Sequence, residues 1–200
     1  MTNTELLIQK ATGNIFTEKY PSINSEKYIL VIPSKQILFL VSNGTAIFSY
    51  PVSTSKFGLG NKNDSFKTPL GLHYIADKIG ENMPKMTIFR GRKTLSNNLI
   101  LADLDLPENT DIRNEHFERH DDVITSRILW LKGHEDGINK GDNIDSYSRY
   151  IYIHGTAHED KIGTPASHGC VRMNNSDVIE LFDNTFISMP VLIANESNIQ

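Results

Sequence analysis

Three short β-prone runs follow one another near the start of this chain, and the turn between two of them leaves little choice of topology. Tyr28-Ile29-Leu30-Val31-Ile32 ends at Pro33, Ile37 to Val41 follows, and Thr45 to Val52 comes third. Each has strand length and is shorter than a stable helix needs. Asn43-Gly44 lies between the second and third, and Asn-Gly adopts the two left-handed positions of a tight hairpin at low steric cost. The pattern predicts an antiparallel meander.

The same reading extends along the chain. Further strand-like runs are Leu70 to Ala76, Met86 to Arg90, Val123 to Leu131, Tyr150 to Ile153 and Pro190 to Ala194. Polar, glycine- and asparagine-containing stretches at 53–69 and 132–148 read as long loops, a length that often carries function. The segment from Arg92 to Asp122 is polar and irregular. Leu6, Leu7 and Ile8 mark a short amphipathic arm or helix. Asn174-Asn175-Ser176 offers a helix cap ahead of Val178, Leu181 and Phe182, which share one helical face. The expectation is a mainly β protein with a few helices: an N-terminal arm over residues 1–27 packed on one domain over 28–200.

Composition narrows the function. The chain has 200 residues with net charge −4, which offers no basic footprint for nucleic acid. No apolar run approaches the ~20 residues that span a bilayer. Met1 to Ile8 lacks the basic and long apolar regions of a secretory leader, so the cytoplasm is the expected compartment. A single cysteine makes no internal disulfide, and its thiol is either buried or reactive.

The neighbours of that cysteine favour reactivity. Cys170 lies in Ser167-His168-Gly169-Cys170-Val171-Arg172-Met173, polar and glycine-containing surroundings unlike a core segment. Sixteen positions upstream, the run Tyr150-Ile151-Tyr152-Ile153 delivers His154, followed by Gly155-Thr156. A thiolate is the reactive form, and an imidazole reached through the fold is the usual means of generating it. Gly155 is expected to turn the chain and present its carbonyl to the second ring nitrogen of His154. That carbonyl would then take the orienting role of a third triad member. Gly169 permits close approach of a substrate backbone. The amides of Gly169 and Cys170 are candidate oxyanion donors. Arg172 is a candidate hook for a substrate carboxylate, and the Tyr152 hydroxyl a candidate to reach the site. Blander roles stand beside these: a buried thiol for Cys170, a hydrogen-bonded strand-end histidine for His154, a surface charge for Arg172 and a half-buried β residue for Tyr152. A zinc site from His154, His158, His168 and Cys170 has the right donor types, but the β run and glycine argue against the helix that an i, i+4 pair requires. No metal and no cofactor are expected.

Ile153-His154-Gly155-Thr156 followed by Ser167-His168-Gly169-Cys170-Val171-Arg172-Met173 resembles the signature of the L,D-transpeptidase catalytic domain (YkuD type). Lys67-Thr68-Pro69-Leu70-Gly71 is similar to that family's Thr-Pro-x-Gly turn, and Pro51-Val52-Ser53-Thr54-Ser55 to the strand end before its substrate loop. The resemblance spans roughly residues 28 to 194. It implies a β-sandwich-like catalytic domain acting on peptidoglycan stem peptides, with Cys170 as nucleophile and His154 as base. His168 and Gly169, with Ser167 before them, would shape the pocket, and Arg172 would fill the basic position. Cys170 would attack the carbonyl at the L-centre of the diamino acid in a tetrapeptide or muropeptide, D-alanine would leave, and the thioester would pass to water or to an amine. Without an export signal, the resemblance points to L,D-carboxypeptidase action during wall recycling, or to exchange of the terminal D-amino acid. The alternatives are a muropeptide-binding module without turnover, a zinc hydrolase, and a thiol protease on ordinary peptides.

Overall fold

The computed structural model describes residues 3–12, 15–23, 26–94 and 123–194. Among them, ten strands form one sheet: β1 (Lys27–Ile32), β2 (Ile37–Ser42), β3 (Thr45–Ser53), β4 (Gly71–Ile79), β5 (Ile88–Arg90), β6 (Lys93–Thr94), β7 (Ile124–Gly133), β8 (Tyr152–Thr156), β9 (Val171–Met173) and β10 (Pro190–Ile193). Helix α1 (Asn3–Thr12) precedes the sheet and α2 (Asn175–Asp183) sits between β9 and β10. The expected meander is present as β1–β2–β3, and both Asn43 (φ 48°) and Gly44 (φ 76°) take the left-handed conformations of its hairpin. Most of the irregular stretch after Arg92, residues 95–122, lies outside the described residues, as do 195–200.

The strand order is β4-β10-β1-β2-β3-β9-β8-β7, and β7 pairs back onto β4. The two sides of the sandwich are therefore parts of one sheet closed on itself, with β5 and β6 extending from β7. Strand alternation then sorts residues into three apolar groups. The inner faces meet in the main core, where Ile29, Val31, Leu38, Leu40, Val52, Leu129, Leu131, Ile153, Val171 and Val191 pack with Val178, Leu181 and Phe182 of α2. The outer faces of β1, β2, β4 and β10 carry Leu30, Ile32, Phe39, Leu72 and Leu192 under Ile8 and Phe16. This explains why β1 reads as an unbroken apolar run: both its faces are covered. Each such side chain contributes about 1.5–3 kcal/mol when fully buried. The third group, Phe89, Ile128, Trp130 and Tyr152, covers the outer face of β7 and β8, and Cys170 packs against it.

Polar groups lock the loops that flank this third face. Asn175 is fully buried at the start of α2 and joins three segments. Its Oδ1 accepts from Thr125 Oγ1 and Ser126 Oγ, both at 2.6 Å, and its Nδ2 donates to Thr156 O at 2.9 Å and Glu159 Oε1 at 2.8 Å. Arg149 ties the two long loops together, with Nη1 donating to Asn61 O at 3.0 Å and Nη2 to Lys67 O at 2.7 Å. Under the loop 132–148, the buried Glu135 carboxylate accepts from Lys19 Nζ at 2.6 Å and from the Leu72 amide at 2.8 Å. Beside it, His73 is wholly buried, with Nδ1 donating to Gly71 O and Nε2 accepting from Ser146 Oγ, both at 3.0 Å.

Two outcomes follow from these contacts. Burial pushes the His73 imidazole down from 6.5 to about 4. The unfolded chain therefore binds a proton that the folded chain refuses between those values, and stability present above about pH 6.5 is lost as pH falls towards 4, by up to ~3 kcal/mol. Urea unfolding across that range is expected to show this slope in the native chain and its reduction in His73→Gln. For the loop clamp, Arg149→Met removes charge-assisted hydrogen bonds worth roughly 1.5–3 kcal/mol each. Amide exchange at Gly60 and Thr68 is expected to rise about ten- to a hundredfold; unchanged protection there would remove Arg149 from this role.

Candidate active site

The site is built on a parallel strand pair. Ile153 pairs with Val171, His154 with Arg172 and Gly155 with Met173. Paired residues on neighbouring strands share a face. Ile153 and Val171 enter the main core, so His154, Arg172 and Tyr152 take the opposite face, where Cys170 packs too. The row continues outward, with Ile128 beside His154 and Ser53 beside Arg172. A bulge between Thr125 and Ile128 resets the alternation of β7 so that Ile128 and Trp130 also face this side. It is held at Ser126 (φ 63°), whose amide donates to Thr87 O and whose hydroxyl donates to Asn175.

Cys170 is half-buried, and its sulfur is seated on the backbone of the residues ahead of His154. The Tyr152 N–H donates to Sγ at 3.4 Å, and Sγ lies 3.4 Å from Tyr150 O, to which the thiol donates. Tyr150 is the residue that turns the chain into β8, with φ 56°. His154 is wholly buried, and its Nδ1 lies 2.7 Å from the Gly155 carbonyl, the partner named for it above. Donation from Nδ1 to a carbonyl leaves the lone pair of a neutral imidazole on Nε2.

Four site residues take roles that differ from the sequence reading. Gly155 does not turn the chain; it lies inside β8, paired to Thr125 and Met173. Its lack of a side chain serves packing, because a Cβ there would stand 2.6 Å from Thr125 O and 2.7 Å from Asn175 Oδ1. The Gly169 amide is directed at Ser167 Oγ (3.2 Å), and that hydroxyl donates to Cys170 O at 2.6 Å. Ser167 thus closes the turn, at which Gly169 has φ 126°, and Cys170's own amide is left as the oxyanion candidate of the pair. Tyr152 touches the sulfur through its amide, while its buried hydroxyl meets Arg92 Nη1 at 3.4 Å. Burial pushes that phenol up, so it stays protonated. Arg172 is 2% exposed in a strand flanked on both sides, and so is not the surface charge of its blander reading. It places a permanent cation in the sheet beside His154.

The turn carrying Cys170 is fastened to the end of β3. Ala166 and Ser167 both donate to Thr54 O at 2.9 Å, and Lys56 donates to Ser167 O at 3.0 Å. Thr68 of the Thr-Pro-x-Gly turn accepts from the Ser55 amide at 3.0 Å, which brings the loop 53–69 alongside. On that flank His168 packs against Phe57 (5.5 Å between ring centroids) and Phe66 (6.1 Å), both largely exposed. On the other flank stand Trp130, Tyr147, Tyr150 and Arg92.

Sequence reasoning missed Arg149, Arg92 and Trp130. Burial pushes the Arg149 guanidinium down, and the negative charges of a Cys170 thiolate and of Asp64 push it back, which places this cation within electrostatic reach of the sulfur. No local motif surrounds any of the three. The only sequence signal was that Trp130 is the chain's single tryptophan, on a strand. Among the described residues, no three His, Cys, Asp or Glu side chains converge as metal ligands would, so the donor geometry lends the zinc alternative no support.

Known proteins share this arrangement of strands. L,D-transpeptidase 3 from Mycobacterium tuberculosis superimposes with a TM-score of 0.50 at 12% identity, over 84% of this chain and 61% of that one. The Ldtfm–avibactam carbamoyl enzyme does so with 0.50 at 16% identity, over 88% and 51%. A stretch of 49 residues is 40% identical to the putative L,D-transpeptidase YqjB of Bacillus subtilis (strain 168), covering 24% of this chain and 28% of that protein. The chain thus spans part of the length of each of these relatives. Residues 26–193, running from β1 through the His154 and Cys170 strands to β10, match the L,D-transpeptidase catalytic domain, and the chain belongs to that family, YkuD.

Proposed function

We propose that this protein is a cysteine acyltransferase on peptidoglycan stem peptides, with Cys170 as nucleophile and His154 as its base. One observation carries the reading: the β8–β9 register sets both residues on one face, with the sulfur held by the Tyr152 amide and the imidazole oriented by the Gly155 carbonyl. The proposed order of events begins at the thiol. His154 Nε2 takes the thiol proton. The thiolate attacks the carbonyl of the diamino acid residue, and the Cys170 amide donates to the developing oxyanion. His154 then returns the proton to the departing D-alanine amine, leaving a thioester on Cys170. Water or an incoming amine, deprotonated by the same imidazole, releases the acyl group.

The flanking aromatic walls suit the two reactants of such a transfer. The Phe57–Phe66–His168 side is built from the loop that Thr68 and Arg149 hold in place. The Trp130–Tyr150–Arg92 side combines apolar area with a cation. Water as acceptor would make the protein an L,D-carboxypeptidase and an amine would make it a transpeptidase. The thioester is common to both, and an intracellular recycling role belongs to the first.

Incubation with a disaccharide tetrapeptide is expected to release D-alanine, detected by mass, and an added D-amino acid is expected to appear in the product if amines are accepted. Cys170→Ala should abolish turnover. His154→Ala should lower kcat by about a hundred- to ten-thousandfold. Undiminished turnover in Cys170→Ala would overturn the assignment.

A further inference from the structure

The sequence offered Arg172 as the hook for a substrate carboxylate, and the structure buries it. A second arginine stands on the exposed side of the same cluster. Arg92 lies at the tip of the β5–β6 hairpin, where both it (φ 67°) and Gly91 (φ 57°) are left-handed. Arginine adopts that conformation at a cost of order 1–3 kcal/mol, which surrounding contacts must offset. Here they do so by fixing its guanidinium. The central carbon lies 4.7 Å from the Trp130 ring centroid and 4.8 Å from that of Tyr150. Its Nη1 reaches the Tyr152 hydroxyl at 3.4 Å. Tyr147 stacks flat on Trp130 at 3.9 Å, holding that ring in place.

This arrangement has the marks of a prepared anion receptor. Stacking on aromatic faces fixes the plane of a guanidinium and leaves its edge donors to a ligand. Among the described residues no carboxylate pairs with Arg92. The group is only partly buried, within a cluster whose outer ring, Tyr150, is 51% exposed. The site is also placed for the reaction: the hydroxyl that meets Arg92 and the amide that meets Cys170 Sγ belong to one residue, Tyr152.

We propose that Arg92, held on Trp130 and Tyr150, binds a free carboxylate of the stem peptide in bidentate fashion and thereby selects the acyl donor. This rests on the substrate class proposed above. Two carboxylates lie on the residues that flank the scissile bond and share the required chemistry: the C-terminal carboxylate of the departing D-residue, and the one on the distal centre of a two-centred diamino acid.

The test reads binding apart from turnover. In Cys170→Ala, fluorescence of Trp130, the single tryptophan, is titrated with three peptides. They are the tetrapeptide, its C-terminal amide, and an analogue with lysine at position three. The tetrapeptide is expected to give a saturable response, with Kd raised about ten- to a hundredfold by Arg92→Gln and less by Arg92→Lys, which keeps the charge without the fork. The peptide lacking the bound carboxylate should already bind weakly and lose nothing further with Arg92→Gln, which identifies the carboxylate. An unchanged Kd in Arg92→Gln, an equal loss for all three peptides, or no saturable response to the tetrapeptide would each overturn the proposal. Arg92-dependent binding alongside a native chain that releases no D-alanine would instead sink the acyl-transfer reading and leave the carboxylate site standing.

Discussion

Everything at the site depends on the register between β8 and β9. Those strands run parallel, and their inner residues, Ile153 and Val171, are wholly buried in the main core. A slip of one residue would carry these apolar side chains to the outer face and pull His154 and Arg172 into the interior. The hydrophobic core therefore sets the position of the imidazole relative to the cysteine, although neither residue belongs to it. This is burial energy used to fix geometry.

Polar contacts then complete what the register begins. Gly155 lets α2 approach β8 closely enough for Asn175 to reach Thr156, Thr125 and Ser126. That hub binds the back of the His154 strand to the bulge of β7. On the front, Thr54 receives Ala166 and Ser167, and Ser167 closes the turn of Cys170. A buried hydrogen-bonding group left without its partner costs about 1–3 kcal/mol, so these small residues resist displacement out of proportion to their size. The α2 N-terminus is taken by Glu159, whose carboxylate accepts from the Asn175 amide at 2.6 Å. A cation within electrostatic reach of the sulfur is supplied instead by Arg149.

Much of the fold was legible because its signals are local. Asn43-Gly44 specifies a hairpin through backbone sterics alone, and the strands of the meander fall within a residue of their sequence bounds. Val178, Leu181 and Phe182 repeat at helical spacing and do form the buried face of α2. The short strand β9 escaped notice because a run beginning at a cysteine and containing arginine lacks the alternation of a half-exposed strand; it is covered on both faces. Gly155 was misread for a related reason. Glycine after an apolar run usually signals a turn, and only the closeness of Thr125 and Asn175 shows that it serves packing inside a strand.

The sequence by itself determined the short strands, the helix after the site, and a recognisable motif that holds one thiol and one histidine. These rest on residue type and near-neighbour spacing, which a linear chain displays. Tertiary structure alone decided that Arg172 is buried, that the Gly169 amide is engaged by Ser167, and that Arg149 and Arg92 stand on either side of the sulfur's surroundings. Those outcomes depend on which face a strand turns inward and which distant loops close over it. Closure of the sheet through β4 and β7 settles both, by joining segments some fifty residues apart that carry no mark of each other in the sequence.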